Sequence, residues 1–165
     1  VLASAEVELA PVQNRETRLK QALSSLAYDI ILIDCPPSLG LLTVNGLSAA
    51  EYLLIPVQAE YFALEGLGQL LTTMQRVKQA LNPHLSLLGV VLTMYSARTS
   101  LSAAVAQEVE HHFPDMVCST VIPRNVRLAE APSHGKAIID YDRFSKGARA
   151  YKALAKEVLT RVKQT

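Results

Sequence analysis

Asp34 ends the apolar run Asp29-Ile30-Ile31-Leu32-Ile33 and leads into Cys35-Pro36-Pro37-Ser38. An apolar strand that finishes on an acid and enters a turn is how nucleotide-hydrolysing folds hold a carboxylate beside magnesium. At the carboxyl end of a parallel strand, where ligands bind in open α/β sheets, Asp34 could fix a metal-bound water. The plainer role for the same spacing is an acid that caps the Pro-Pro turn. A phosphate-binding loop needs Gly-x-x-x-x-Gly-Lys-Ser/Thr, whose backbone amides cradle phosphate. These 165 residues contain no such run, since the one Gly-Lys pair, Gly135-Lys136, is followed by Ala137. The spacing therefore supplies half of a nucleotide site.

Two further segments reach the same sheet edge in this reading, Thr93-Met94-Tyr95 and Ile122-Pro123-Arg124-Asn125. Asn125 offers an amide suited to a base edge, and Met94 and Pro123 offer apolar contact to a ring; ordinary turn and core roles suit all three as well. Gly66-Leu67-Gly68 lacks a third glycine and lies inside a helical stripe, so it is no dinucleotide fingerprint. Neither Ser38 nor Ser96 sits in a Gly-x-Ser-x-Gly elbow, which leaves a hydrolase triad without support.

The elements that must position these residues alternate. Apolar runs of strand length occur at 29–34, 52–57, 86–94 and 116–122, nearly continuous as in strands covered on both faces. Helical patterns fill 14–27, 39–50, 61–82, 99–112 and 145–164. The third of them places Leu64, Leu67, Leu71, Met74 and Leu81 on one stripe. In the last, Ala148, Tyr151, Leu154, Ala155, Val158 and Val162 are expected inward and Lys152, Lys156, Arg161 and Lys163 outward. Residues 1–11 read as polar and weakly structured, opening without methionine as a piece of something longer would. Alternation of strand and helix implies an α/β fold with a mostly parallel sheet and helices on both faces. With 50% apolar residues, one domain over 1–165 is expected.

The formal charge of +1 hides an asymmetry, because residues 1–75 sum to −5 and residues 76–165 to +6. A basic half is what a polyanion-binding surface requires, although solvated lysines produce the same count. Cys35 and Cys118 lack Cys-x-x-Cys spacing and read as reduced core thiols. His111 and His112 are adjacent and cannot share a helix face, so they suit a solvated helix end better than a metal. No run of apolar residues is long enough for a membrane span and no leader is evident, which places the chain in the cytosol.

Several stretches closely resemble the ParA/Soj family of chromosome and plasmid partition ATPases. They are Tyr28 to Gly40, Pro56-Val57-Gln58-Ala59-Glu60-Tyr61-Phe62-Ala63-Leu64-Glu65-Gly66, Thr93-Met94-Tyr95, Val121 to Ser133 and Gly147-Ala148-Arg149-Ala150-Tyr151. The resemblance runs from about residue 28 to the end, and residues 1–10 are similar to the family's linker into the Walker B strand.

The resemblance implies a deviant Walker A ATPase of the MinD-like group, with a P-loop NTPase-like fold that is partial here. Such a protein uses ATP or ADP and magnesium, forms an ATP-bound homodimer, binds DNA without sequence preference on the nucleoid and is stimulated by a ParB-type partner. Asp34 then matches the Walker B aspartate. Thr93, Met94, Pro123, Arg124 and Asn125 match segments bordering the adenine. Arg98 matches a basic position used on DNA, with Arg127 and Lys136 as weaker candidates. The family's amino-terminal Lys-Gly-Gly-Val-Gly-Lys-Thr-Thr loop and first strand are not in this sequence, so the chain alone is expected neither to hold nucleotide tightly nor to hydrolyse ATP. Two other readings remain, a non-enzymatic module that binds DNA or protein, and an ATPase of the MinD-like or organelle-positioning type.

Overall fold

Two strands pass through the middle of the sequence, β1 (Tyr52–Gln58) and β2 (Ser86–Thr93), and pair with each other. Their register is parallel: the Glu51 carbonyl accepts from Ser86 N at one end (3.0 Å), and the Thr93 carbonyl accepts from Ala59 N at the other (2.9 Å). Pro56 can donate no ladder bond and is exposed, which suits an edge strand. β2 is buried without a break from Leu88 to Leu92, as expected of a strand covered on both faces. The computed structural model describes residues 2–60 and 63–164. It divides into two compact units, Val1–Leu53 with Gly68–Ser86, and Leu54–Leu67 with Leu87–Thr165.

The first unit is helical around α3 (Leu41–Ala49), with α1 (Leu2–Leu9), a 3-10 turn at Arg15–Thr17 and α2 (Arg18–Leu23). Buried Asn45 ties three pieces together. Its Oδ1 accepts from Leu19 N (3.1 Å), and its Nδ2 donates to the carbonyls of Arg15 (2.7 Å) and Leu41 (3.0 Å). Glu6 on α1 accepts from Leu41 N (2.7 Å), satisfying one of the open amides at the start of α3. Asn82 likewise donates to the carbonyls of Leu47 and Ala50 at the end of α3. Helix α4 (Ala63–Ala80) buries Met74 and Val77.

The second unit is built on β2. Residues 116–124 run beside it through parallel bridges Val90 to Val117 and Tyr95 to Pro123, with Cys118 N donating to the Val90 carbonyl (2.7 Å) and Ile122 N to that of Leu92 (2.8 Å). Helix α8 (Lys146–Gln164) covers this segment, and Val91, Cys118, Ile122 and Leu154 form the core there. Helix α5 (Ser100–His112) buries Ser102, Val105 and Val109. Three short turns connect to α8: α6 (Val126–Glu130), a 3-10 turn at Ala131–His134 and α7 (Ile138–Tyr141).

Several sequence expectations change. Residues 29–34 are not a strand, and Ile30, Ile31 and Leu32 are exposed, Leu32 by 88%. A strand exists only as a paired backbone, and no described neighbour pairs with this run; its apolar composition is insufficient alone. Residues 116–122 pair by isolated bridges rather than as a continuous ladder. Residues 2–9 are helical, because Ala, Leu and Glu favour helix and neither Gly nor Pro interrupts them before Pro11. The pattern over 14–27 yields only the turn and α2, ending at Leu23. On α8, Tyr151 and Ala155 face solvent and Arg161 turns inward. Cys35 is exposed, whereas Cys118 is buried as expected. The side chain of Leu64 lies outside the described residues.

Candidate functional site

The carboxyl edge of the second unit gathers three chain segments. After β1, Ala59 N bonds to Thr93, and Glu60 follows; after β2 come Met94 and Tyr95; from 116–124 come Pro123 and Arg124. Tyr95 N donates to the Ile122 carbonyl (3.1 Å) and Arg124 N to that of Tyr95 (3.0 Å), so Met94 and Pro123 lie on adjoining strands of backbone. Thr93 points its hydroxyl at the Val57 carbonyl (3.3 Å), a contact that stitches the sheet. Arg124 forms an ion pair with Glu60, which sequence reasoning did not single out.

Met94 has a left-handed backbone, φ 53°. A long side chain in that region is uncommon and costs about 1 kcal/mol or more, and such outliers gather at ligand sites. Asn125 caps α6: its Oδ1 accepts from Arg127 N (2.8 Å). That bond fixes the amide so that its Nδ2 is the group left to meet a ligand. An adenine edge fits a site that offers a fixed amide donor, exposed Met94 and half-buried Pro123. Thr93, Met94, Pro123, Arg124 and Asn125 are thus brought together.

Asp34 belongs to the first unit, in an exposed stretch without helix or strand. It is held from below by α3: a Cβ at Gly46 would stand 2.6 Å from Cys35 Sγ and 3.6 Å from Ile33 Cγ2, so glycine lets the 33–35 backbone approach the helix. Although Cys35 is exposed as a residue, desolvation of its Sγ where it lies against Gly46, and then the neighbouring Asp34 charge, push the thiol up from its ordinary pKa.

The basic candidates differ in their freedom. Arg98 sits in the exposed turn before α5 and has no carboxylate partner among the described residues. The turn is anchored by Ser102, which accepts from Thr99 Oγ1 (3.0 Å) and donates to the buried Ala59 carbonyl (3.3 Å). Lys136 is exposed behind Gly135, whose φ of 62° makes the turn that presents it. Arg127 is instead engaged by Glu130 (2.8 Å) and Asp142 (3.6 Å). The hydrogen bond to Glu130 holds its pKa above the ordinary value.

Sequence reasoning also missed Glu157 and Arg161. Glu157 accepts from Ser119 N (2.8 Å), Thr120 N (2.9 Å) and Ser119 Oγ (3.0 Å). Arg161 donates to the carbonyls of Leu88, Met116 and Val117 and pairs with Glu157 at 3.2 Å. Their spacing of four on one helix was visible, but a solvated pair reads the same way in sequence.

Known proteins resemble this chain along most of its length. A family model described as an AAA domain matches residues 1–87. The sporulation initiation inhibitor protein Soj of Bacillus subtilis is 59% identical over 159 residues, covering 95% of this chain and 63% of that protein. The chromosome partitioning protein ParA of Myxococcus xanthus is 54% identical over 162 residues, covering 97% and 57%. The chain belongs to the ParA/Soj family. It spans 57–63% of the length of these two relatives. Among solved structures, cobyrinic acid a,c-diamide synthase from Mycobacterium smegmatis, with bound ADP and magnesium, matches with TM-score 0.80 at 40% identity, over 98% of this chain and 60% of that one. The cell division ATPase MinD of Pyrococcus furiosus matches with TM-score 0.68 at 26% identity, over 88% and 58%. The α/β fold with a parallel sheet, of P-loop NTPase type, is shared with these two solved structures. Among the described residues no helix is long and apolar enough to cross a membrane.

Proposed function

We propose that this chain is the base-binding and DNA-contacting part of a ParA/Soj-type partition ATPase. The observation that carries the reading is the 59% identity to Soj along 95% of the chain. The carboxyl edge supports it. There Thr93 and Met94 flank the adenine, Pro123 packs on its ring, Asn125 donates to its edge, and Arg124, tied to Glu60, bounds the pocket. Asp34 would be the carboxylate on the magnesium side, and the metal, when bound, would supply positive charge to the phosphates. ATP supplies the bond that is cleaved; the carboxyl edge of the second unit offers groups suited to its base, Asp34 of the first unit offers a carboxylate suited to its metal, and no phosphate-binding run occurs among these 165 residues. The chain alone hydrolyses no ATP.

In the complete protein, ATP drives homodimerisation, Arg98 contacts the phosphates of DNA of any sequence, and a ParB-type partner stimulates turnover. The protein works on the nucleoid in the cytoplasm. Arg127 contributes less to DNA binding, since leaving Glu130 and Asp142 would cost it two ion pairs. The test is Asp34→Ala in the full-length protein, with hydrolysis and far-ultraviolet circular dichroism measured together. Magnesium-dependent turnover should vanish while the fold persists, because the substitution removes an exposed carboxylate and no core volume. Normal hydrolysis by that variant removes Asp34 from the site.

A further inference from the structure

An open groove of about 480 Å³ lies between α8 and the 131–139 turns of the second unit. Leu128 and Ala131 belong to it on one side, Ile138 and Ile139 on another, and Tyr151 and Ala155 on α8. Its wall is almost wholly apolar. Ile139 and Tyr151 each remain 45% exposed, so apolar surface is left uncovered where a helix and three short turns meet. The only charged side chains lining it are Lys136 and Lys152, and neither is in an ion pair among the described residues.

We propose that this groove docks a short segment of a partner protein that carries apolar side chains flanked by carboxylates. The apolar wall supplies affinity through water release, in the manner of a helix laid in a hydrophobic groove. Two unpaired ammonium groups at the wall select charge, since a basic segment would meet them uncompensated and an acidic one completes two ion pairs. The volume lies in the range of natural ligand sites, roughly 300–1,000 Å³. The geometry also explains one departure from the sequence pattern and one turn. Tyr151 and Ala155 break the expected inward stripe of α8 because they form this wall. Gly135, with its positive φ, makes the turn that brings Lys136 to the groove.

The inference does not rest on nucleotide chemistry, so it is tested apart from it. Random peptides of about 16 residues displayed on phage are selected against the full-length protein without nucleotide. Enriched sequences should combine large apolar residues with Asp or Glu. Synthetic copies, measured by fluorescence anisotropy, should bind about tenfold or more weakly to Ile139→Glu and to Lys152→Glu, and binding should weaken with salt. Both positions are exposed, and circular dichroism of each variant confirms its fold. Failure to enrich any peptide overturns the proposal, as does enrichment of basic peptides or of peptides indifferent to both substitutions. If no peptide is enriched while the two variants lose duplex DNA, the groove belongs to nucleic acid and the proposal is wrong. Loss of self-association by Ile139→Glu, again without peptide enrichment, assigns it to a second copy and is equally fatal.

Discussion

Met94 and Arg98 sit four positions apart and carry different kinds of information. At Met94 the backbone is left-handed, which a β-branched side chain tolerates poorly and asparagine tolerates well. Met94→Ile should therefore destabilise the protein more than Met94→Asn, by about 1 kcal/mol, although isoleucine is the nearer match in apolarity. Urea denaturation of the two variants reads the order directly, and the opposite order would mean that side-chain burial dominates there. At Arg98 the guanidinium is exposed and without a carboxylate partner among the described residues, so its loss touches no internal contact. Arg98→Ala should weaken binding to two unrelated duplexes alike and make the salt slope shallower by about one unit per lost phosphate contact. Anisotropy across a salt series in the ATP-bound full-length protein decides it; unchanged affinity would place the DNA face elsewhere.

Among the elements, α8 does more than cover the sheet. The 116–120 backbone has only isolated bridges to β2, and Glu157 and Arg161 meet amides and carbonyls that a strand neighbour would otherwise satisfy. Gly89 permits this arrangement, because a Cβ there would stand 3.0 Å from the Met116 carbonyl and 3.1 Å from Arg161 Nη1. Burial alone would raise the pKa of Glu157, but hydrogen bonds from Thr120 and Ser119 outweigh it and bring it down from 4.5 to about 2. A carboxylate whose folded pKa lies below its unfolded value contributes stability that is complete above about pH 4.5 and lost as pH falls toward about 2. Denaturant titrations between those limits should show that loss in the parent and a flatter profile in Glu157→Gln. At neutral pH the same variant should be less stable by about 1 kcal/mol, since it weakens charge-assisted bonds to exposed Ser119 and half-buried Thr120.

The molecule as a whole contains no phosphate-binding run. No Gly-x-x-x-x-Gly-Lys-Ser/Thr run occurs in its sequence, and the amides and lysine of such a loop supply most of the affinity for the phosphates. Contacts to the base alone, from Met94, Pro123 and Asn125, should leave the isolated 165-residue chain with an ATP dissociation constant weaker than ~1 mM. Titration calorimetry giving a micromolar value would show that some other part of the chain binds phosphate. The same chain exposes Ile30, Ile31 and Leu32 side by side, an unpaired apolar run that invites association with any free strand edge.

Local pattern alone determined the helices α3, α4, α5 and α8 to within about two residues, because amphipathic spacing and capping act over a few neighbouring positions. It determined β1 and β2 as well, where apolar runs found each other as partners. Motif spelling carried the ParA/Soj kinship, and that kinship drew attention to Arg98; Asp34 and the Pro123-Arg124-Asn125 segment already stood out by their place after apolar runs. Whether 29–34 forms a strand was a different kind of question, since pairing is a property of two segments and the composition of one is silent about the other. Tertiary structure also decided which arginines are free: Arg98, Arg127 and Arg161 read alike in sequence, yet Glu130 and Asp142 occupy the second and main-chain carbonyls hold the third. The groove beside α8 arises the same way. Its residues come from 128–139 and 151–155, and only the packing of the short turns against the helix makes one surface of them.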